Sequence, residues 1–452
     1  MLSKIIPISE AKPIKKRDNI EAILTDNLIF DNRIVFYKQY FLSRINKNNM
    51  PKINFVTVLF LLSFCGLIAQ NAQLLQWATK GAVSNEEYYE EIPFRYIDGY
   101  IFIDIVQHNK PYNFLFDTGA EATLIDRSII DEFDYKQLGV SNISGPVIKN
   151  QGINTIVLDS IHIATLNFVN IGAVAIDLTP LKKKFCNNVY GVIGSTLLKK
   201  SNWQIDYANR IIRIATTISR FKISDTATKL PTFLPSKGWG TEAVEVSIDG
   251  IATKFEIDTG NGRSKIVAHP SQFKRLLKIN KKSTVPYGFA KAPTDYRILT
   301  KKIEMGNLEL LGQELDLLND VGQHQLLGNR FFENFLVTLD WKNHFLYLEE
   351  KRAIAPNELI DFELRFAPDF QNHNITVLNG VKAFVKKNKI EKGAVLIKVN
   401  DTDLSGFSDE EFCRFWNESW QEVLKGHSMD IILTQHSKKK ILTLTKKQLV
   451  AK

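Results

Sequence analysis

The chain has 452 residues, 44% of them apolar and 24% charged, with a formal net charge of +9. That is ordinary globular material, long enough for two or three domains with sizeable cores. The charge is moderate for this size, and the basic patches (Lys182 to Lys184, Lys438 to Lys440, Lys446 to Lys447) lack interleaved aromatics. They read as solvated surface, so no nucleic-acid partner is expected.

In chain order, residues 1–49 form an upstream extension of doubtful status. Met50-Pro51-Lys52-Ile53-Asn54 then leads into an apolar run from Phe55 to Ala69. A short basic stretch, an apolar core of about a dozen residues and a small residue before Gln70 have the form of a secretory signal peptide over 50–69. The run is short for a membrane span. Cleavage is expected after Ala69, with Ala72 as the second choice, and translation is expected to begin at Met50. The protein is then exported, to a periplasm, cell envelope or medium. The alternative is a chain tethered to the membrane by the uncleaved segment. No integral membrane partner is implied.

From about Ile92 to Ile214 apolar and polar residues alternate as in strands, for example Tyr100-Ile101-Phe102-Ile103-Asp104-Ile105-Val106. Short helices are expected at Arg127 to Phe133, Ser271 to Lys278 and Arg330 to Phe335. A polar stretch with Pro231 and Pro235 separates this region from a second β-rich one, Ala243 to Leu348. After Glu350 a connector, Arg352 to Pro356, opens a third unit of about 95 residues. It has a helix over Ser408 to Leu424, and Asp430 to Thr434 with Lys440 to Leu444 as a closing hairpin.

The two β-rich regions share more than their periodicity. Phe114-Leu115-Phe116-Asp117-Thr118-Gly119-Ala120 and Phe255-Glu256-Ile257-Asp258-Thr259-Gly260-Asn261 are each an apolar strand running into an Asp-Thr-Gly turn. Val192-Ile193-Gly194 is followed, twelve residues after its glycine, by Asp206 before Tyr207-Ala208-Asn209. Leu326-Leu327-Gly328 is followed, again twelve residues on, by Asp340 before Trp341-Lys342-Asn343. Matching elements in a fixed order mark an internal repeat with one carboxylate per half. Asp206 and Asp340 end strands ahead of an aromatic-x-Asn sequence and read as turn residues.

Two carboxylates a few ångströms apart do not both ionise at neutral pH; they share a proton and titrate as a pair. Such a pair can activate water on one side and protonate an amide on the other. The glycines permit a tight turn and close approach of the opposite half. The threonine hydroxyls can donate and accept across the repeat axis.

On these landmarks, residues 90 to 350 resemble the aspartic peptidases, the family of pepsins and retropepsins. The resemblance implies an all-β bilobed fold, two six-stranded-barrel-like lobes related by a pseudo-twofold, at 86–220 and 236–350. It implies Asp117 and Asp258 as the catalytic pair, and Thr118, Gly119, Thr259 and Gly260 as bracing residues. A substrate-covering flap is expected within Ser144 to Thr155, around Gly152, or within Thr284 to Thr294, around Tyr287-Gly288-Phe289. Asn261 departs from the family pattern and is expected to alter the hydrogen bonding of the second carboxylate. Residues 358–448, through Asn388 to Leu404, are similar to a PDZ domain, a small α/β unit that implies capture of a peptide C-terminus or strand. The carboxylate-binding Gly-Leu-Gly-Phe loop of that family is not evident.

The expected function is an exported aspartic endopeptidase acting on polypeptides. The alternative is a weak or inactive binding protein of the same fold, working through its PDZ-like unit. No cofactor and no metal are expected, because the histidines show no metal spacing. Cys186 and Cys413, left after signal removal, are expected to be buried free thiols.

Overall fold

The computed structural model describes residues 73–143, 151–290, 292–321 and 324–450, and no side chain between 140 and 153. The predicted signal peptide and upstream extension lie outside the described residues. Among the described residues no helix is long and apolar enough to cross a membrane. Gln76–Pro235 with Trp239–Lys452 forms one compact unit, and every element discussed below belongs to it.

The protein is predominantly β, with mixed sheets and few helices. Each strand that enters an Asp-Thr-Gly turn is the second arm of a two-residue hairpin. Tyr100–Gln107 and Lys110–Phe116 are joined by His108 and Asn109, both at positive φ (47° and 61°). Ala243–Ile248 and Ile251–Asp258 are joined by Asp249 and Gly250 at 48° and 77°. Two successive positive φ values give the turn whose twist matches that of the flanking strands, which fixes the register leading to each aspartate.

The apolar-Gly segments complete the pattern. Gly191–Ile193 lies parallel to Lys110–Phe116, with Ile193 beside Phe116, and antiparallel to Thr123–Asp126. Leu326–Gly328 lies parallel to Ile251–Asp258, with Gly328 beside Asp258, and antiparallel to Ile266–Ala268. A Cβ at Gly194 would stand 2.2 Å from the Ala122 carbonyl oxygen, and one at Gly328 2.4 Å from that of Ser264. Only glycine lets the chain pass so close to the turn.

The two regions meet through Asn202–Asp206 and Phe335–Asp340, which pair antiparallel with Trp203 opposite Leu339 and Asp206 opposite Leu336. Both strands are buried along their whole length, and the buried polar side chains pair across them, Gln204 Nε2 donating to Thr338 Oγ1. One core joins Phe114, Phe116, Trp203, Ile205, Phe255, Ile257, Leu327, Phe332 and Leu339. Asp206 and Asp340 act as turn residues: each accepts from the backbone N–H and side-chain amide of the asparagine three residues on.

The C-terminal segment has a core of its own, built on Phe362, Leu364, Ile375, Leu396, Trp416, Trp420 and Leu433. Its sheet runs in the order Leu364–Asp369, Asn374–Gly380, Val395–Val399, Ser428–Gln435, Lys438–Thr445. The helix expected over Ser408 to Leu424 starts at a capping box in which Ser408 and Glu411 satisfy each other's backbone N–H. It widens to a π segment at Phe415–Ser419 and resumes at Trp420–Lys425.

The free-thiol expectation is corrected. Cys186 and Cys413 form a disulfide, with Cα atoms 5.2 Å apart. Cys186 caps the helix Thr179–Phe185 in the left-handed conformation, and Cys413 lies on Asp409–Arg414. The bond closes a loop 227 residues long, for which chain entropy alone is worth about 5 kcal/mol. The sequence hid it because only the docking of two distant helices brings the thiols together.

Candidate active site

Asp117 and Asp258 each follow the last core residue of a strand, so burial of Phe116 and Ile257 aims the next residue out of the sheet. The turns are then locked to each other by four buried hydrogen bonds. The Thr118 N–H donates to Thr259 Oγ1 at 2.9 Å, and the Thr259 N–H to Thr118 Oγ1 at 3.0 Å. Thr118 Oγ1 donates to the Ile257 carbonyl at 2.6 Å, and Thr259 Oγ1 to that of Phe116 at 2.9 Å. Each hydroxyl thus accepts from one turn and donates to the strand leading into it, a closed network with every member satisfied.

The carboxyl groups are held in the same reciprocal way. The Gly119 N–H donates to Asp117 Oδ1 at 2.8 Å and the Gly260 N–H to Asp258 Oδ1 at 2.9 Å. A Cβ at Gly119 would lie 2.2 Å from Asp258 Oδ1, and one at Gly260 2.3 Å from Asp117 Oδ2. Each glycine is therefore the floor on which the opposite carboxyl rests. The two carboxyls lie on adjoining turns, each against the other's glycine.

Burial raises both acids above the ordinary carboxylate value. Asp258 is pushed up further, first by desolvation and then by the charge of Asp117, with Glu256 adding to it. Asp117 is held back by the Gly119 N–H and by the cationic Lys184. The two acids consequently titrate as a coupled pair, with one proton retained on the pair above the ordinary carboxylate range.

Asn261 does not reach the second carboxylate through any hydrogen bond: its side-chain oxygen accepts from the Ser264 N–H. Its amide nitrogen is buried and unpartnered, close to where a Cβ at Gly328 would lie. The backbone of Asn261 matches that of Ala120, each N–H donating to the carbonyl of its own aspartate. The flap residues are placed differently. Gly152 pairs with Asn142 in the long hairpin of Tyr135–Ile143 and Gln151–Ile163, and 144–150 lie outside the described residues. Tyr287 is buried beside Leu359 and Val450, under the Arg365 guanidinium at 4.8 Å. The Gly288 N–H donates to the Gly380 carbonyl. That turn is fastened to the C-terminal segment, with Tyr287 bridged to Val381.

Sequence reasoning missed the charged neighbours of the pair. His324 Nδ1 meets Glu256 Oε1 at 2.8 Å, and that carboxylate holds the imidazole above its ordinary value. Lys184 lies over the Tyr100 ring at 4.9 Å. Only Glu256 had a readable signal, facing the same way as Asp258 by strand alternation. Among the described residues no group of three or more His, Cys, Asp or Glu could hold a metal.

No family model matches the chain, and no curated protein matches it. Among solved structures it is similar to basic 7S globulin from soybean, at 13% identity, over 58% of this chain and 94% of that one, with a TM-score of 0.38. A likeness that low carries no argument. Membership in the aspartic peptidases with a PDZ domain, inferred from the motifs, is corrected: no family model and no curated protein of either family matches the chain. Short motifs and a turn pattern are too little sequence to define descent. What remains is the geometry of the residues themselves.

Proposed function

We propose that the protein hydrolyses internal peptide bonds of polypeptides with water held between Asp117 and Asp258. The observation that carries this reading is the reciprocal pair of carboxyls, each resting on the other's glycine. Ionised Asp117 takes a proton from water as the oxygen attacks the carbonyl carbon, while protonated Asp258 donates to the carbonyl oxygen. Collapse of the tetrahedral intermediate returns a proton to the leaving amine. No cofactor is needed for this chemistry. In this reading the chain is bilobed, one turn per half at 86–220 and 236–350, and the α/β unit at 358–448 docks a polypeptide strand or C-terminus. The predicted leader, if removed near Ala69, makes the protein an exported one.

Purified residues 70–452 are expected to cleave an unfolded protein at acidic to near-neutral pH. Asp117→Asn and Asp258→Asn are each expected to lose that activity while keeping the wild-type circular dichroism. Equal cleavage by all three proteins would refute the proposal. A second reading, a binding protein on the same scaffold, is favoured by the buried, unpartnered amide of Asn261 beside the second turn. It is selected if the folded wild type cleaves nothing yet retains unfolded chains through the C-terminal unit.

A further inference from the structure

Outside the carboxyl pair, one cavity gathers an unusual set of side chains. It measures about 290 Å³ and is lined by Tyr96, Tyr207, Arg210, Arg330, Glu333 and Arg352. Three guanidiniums face one carboxylate. The three guanidiniums carry like charge around the recess, Arg210 and Arg352 exposed and Arg330 half-buried, and Glu333 is the one carboxylate among the lining residues. A second acid, Asp98, lies 3.9 Å from Arg330 and is also shared with Arg263 at 3.8 Å.

The lining is braced in place. The Tyr96 hydroxyl donates to Glu333 Oε2 at 2.8 Å, and the same oxygen takes Arg330 Nη1 at 3.4 Å. The Tyr96 ring carries Arg210 at 5.5 Å and Arg330 at 6.0 Å from its centroid. Arg210 Nη1 donates to the Tyr96 carbonyl, and Arg330 Nε to that of Gly262. Arg210 sits at φ 58°, in the turn between Asn202–Asp206 and Ile211–Ala215, a backbone setting that favours glycine or asparagine. An arginine held there, with its Nη1 on a carbonyl and its guanidinium over the Tyr96 ring at the cavity lining, is arranged for an anion.

We propose that this cavity binds a compact phosphate-type dianion. Such a ligand supplies the charge the three guanidiniums lack, and planar guanidinium forks match phosphate oxygens in pairs. The two tyrosines offer an apolar wall to any small organic group the phosphate carries. Free phosphate and a small phosphomonoester share this chemistry, and the test separates them. The site also touches the catalytic frame: the Tyr207 hydroxyl donates to Asn329 Oδ1 at 2.6 Å, and Asn329 Nδ2 donates to the carbonyls of Gly99 and Thr259. The binding claim itself does not depend on peptide hydrolysis.

Calorimetric titration of the full chain with inorganic phosphate and with phenyl phosphate, against chloride at matched ionic strength, tests the assignment. Wild type is expected to bind both phosphates saturably, tighter binding of phenyl phosphate indicating an organic ester as ligand. The pair Arg210→Ala with Arg352→Ala is expected to weaken binding at least tenfold, and Glu333→Gln to tighten it severalfold. Arg352→Ala alone, at an exposed side chain, serves if the double variant does not fold. No phosphate-specific heat with wild type, or unchanged affinity in the arginine variants, would overturn it.

Discussion

The two Asp-Thr-Gly turns are near copies in their backbone bonds and unlike in their surroundings. Each is entered from a positive-φ hairpin, flanked by a parallel apolar-Gly strand and bonded to the other through threonine. Around the first stands a cation, Lys184; around the second stand Glu256 and the charge of the first aspartate. Repetition therefore sets where the carboxyls sit, while the unrepeated neighbours act on them unequally, Lys184 favouring an ionised Asp117 and Glu256 a protonated Asp258. A perfectly symmetric site would have no preference between its two acids.

The largest effect is expected from removing either acid. Asp117→Asn and Asp258→Asn should each lower kcat about 10²–10⁴-fold, measured with an unfolded protein substrate. Stability should move the opposite way for the second. Because the Asp258 carboxyl is raised above its ordinary 3.8, its contribution to stability is complete below that value and is lost as pH rises through the folded value. Asp258→Asn removes this loss, so its melting temperature at pH 7 should exceed that of wild type, and the advantage should vanish near pH 3. An equal melting temperature at both pH values would contradict the raised acid.

Next comes the shared frame. Gly119→Ala puts a methyl group 2.2 Å from Asp258 Oδ1, so it should abolish cleavage in a protein that still folds, as read by activity beside circular dichroism. Thr118→Ala removes a hydroxyl with two buried partners and should cost roughly 2–4 kcal/mol in denaturant unfolding. If the turns were held independently, each of these would affect only its own half.

The smallest effects probe the neighbours that break the symmetry. Glu256→Gln should move the alkaline limb of the pH–rate profile to lower pH, since Glu256 helps hold the proton on Asp258. Lys184→Met should move the acid limb to higher pH, since Lys184 favours ionised Asp117. Opposite shifts on opposite limbs are the signature of the asymmetry; a common shift would remove it.

The repeat made the frame readable, because Asp-Thr-Gly, paired-apolar-Gly and Asp-aromatic-x-Asn recur in one order and each has a local conformational reason. The strands Tyr100–Gln107 and Ala243–Ile248 and the helix from Ser408 were legible for the same reason, through alternation and a capping box. What failed to show is what folding alone assembles. The Cys186–Cys413 bond, the seating of Tyr287 and Gly288 against the C-terminal segment, and the ring of Arg210, Arg330 and Arg352 all join residues far apart in the chain. Asn261 misled in a different way: its identity suggested an effect on Asp258, while the adjacent Ser264 N–H holds its side-chain oxygen. Family descent was overread from short motifs, since chemistry limits what such turns can contain whatever their origin.

The most direct test of the shared proton is carbon-13 NMR titration of the aspartate carboxyls in wild type and in Asp117→Asn. The expected result is two coupled transitions in wild type, with the Asp258 resonance titrating well above ordinary carboxylates and falling back when Asp117 loses its charge. Two independent transitions near 3.8, with Asp258 unmoved by the substitution, would contradict it.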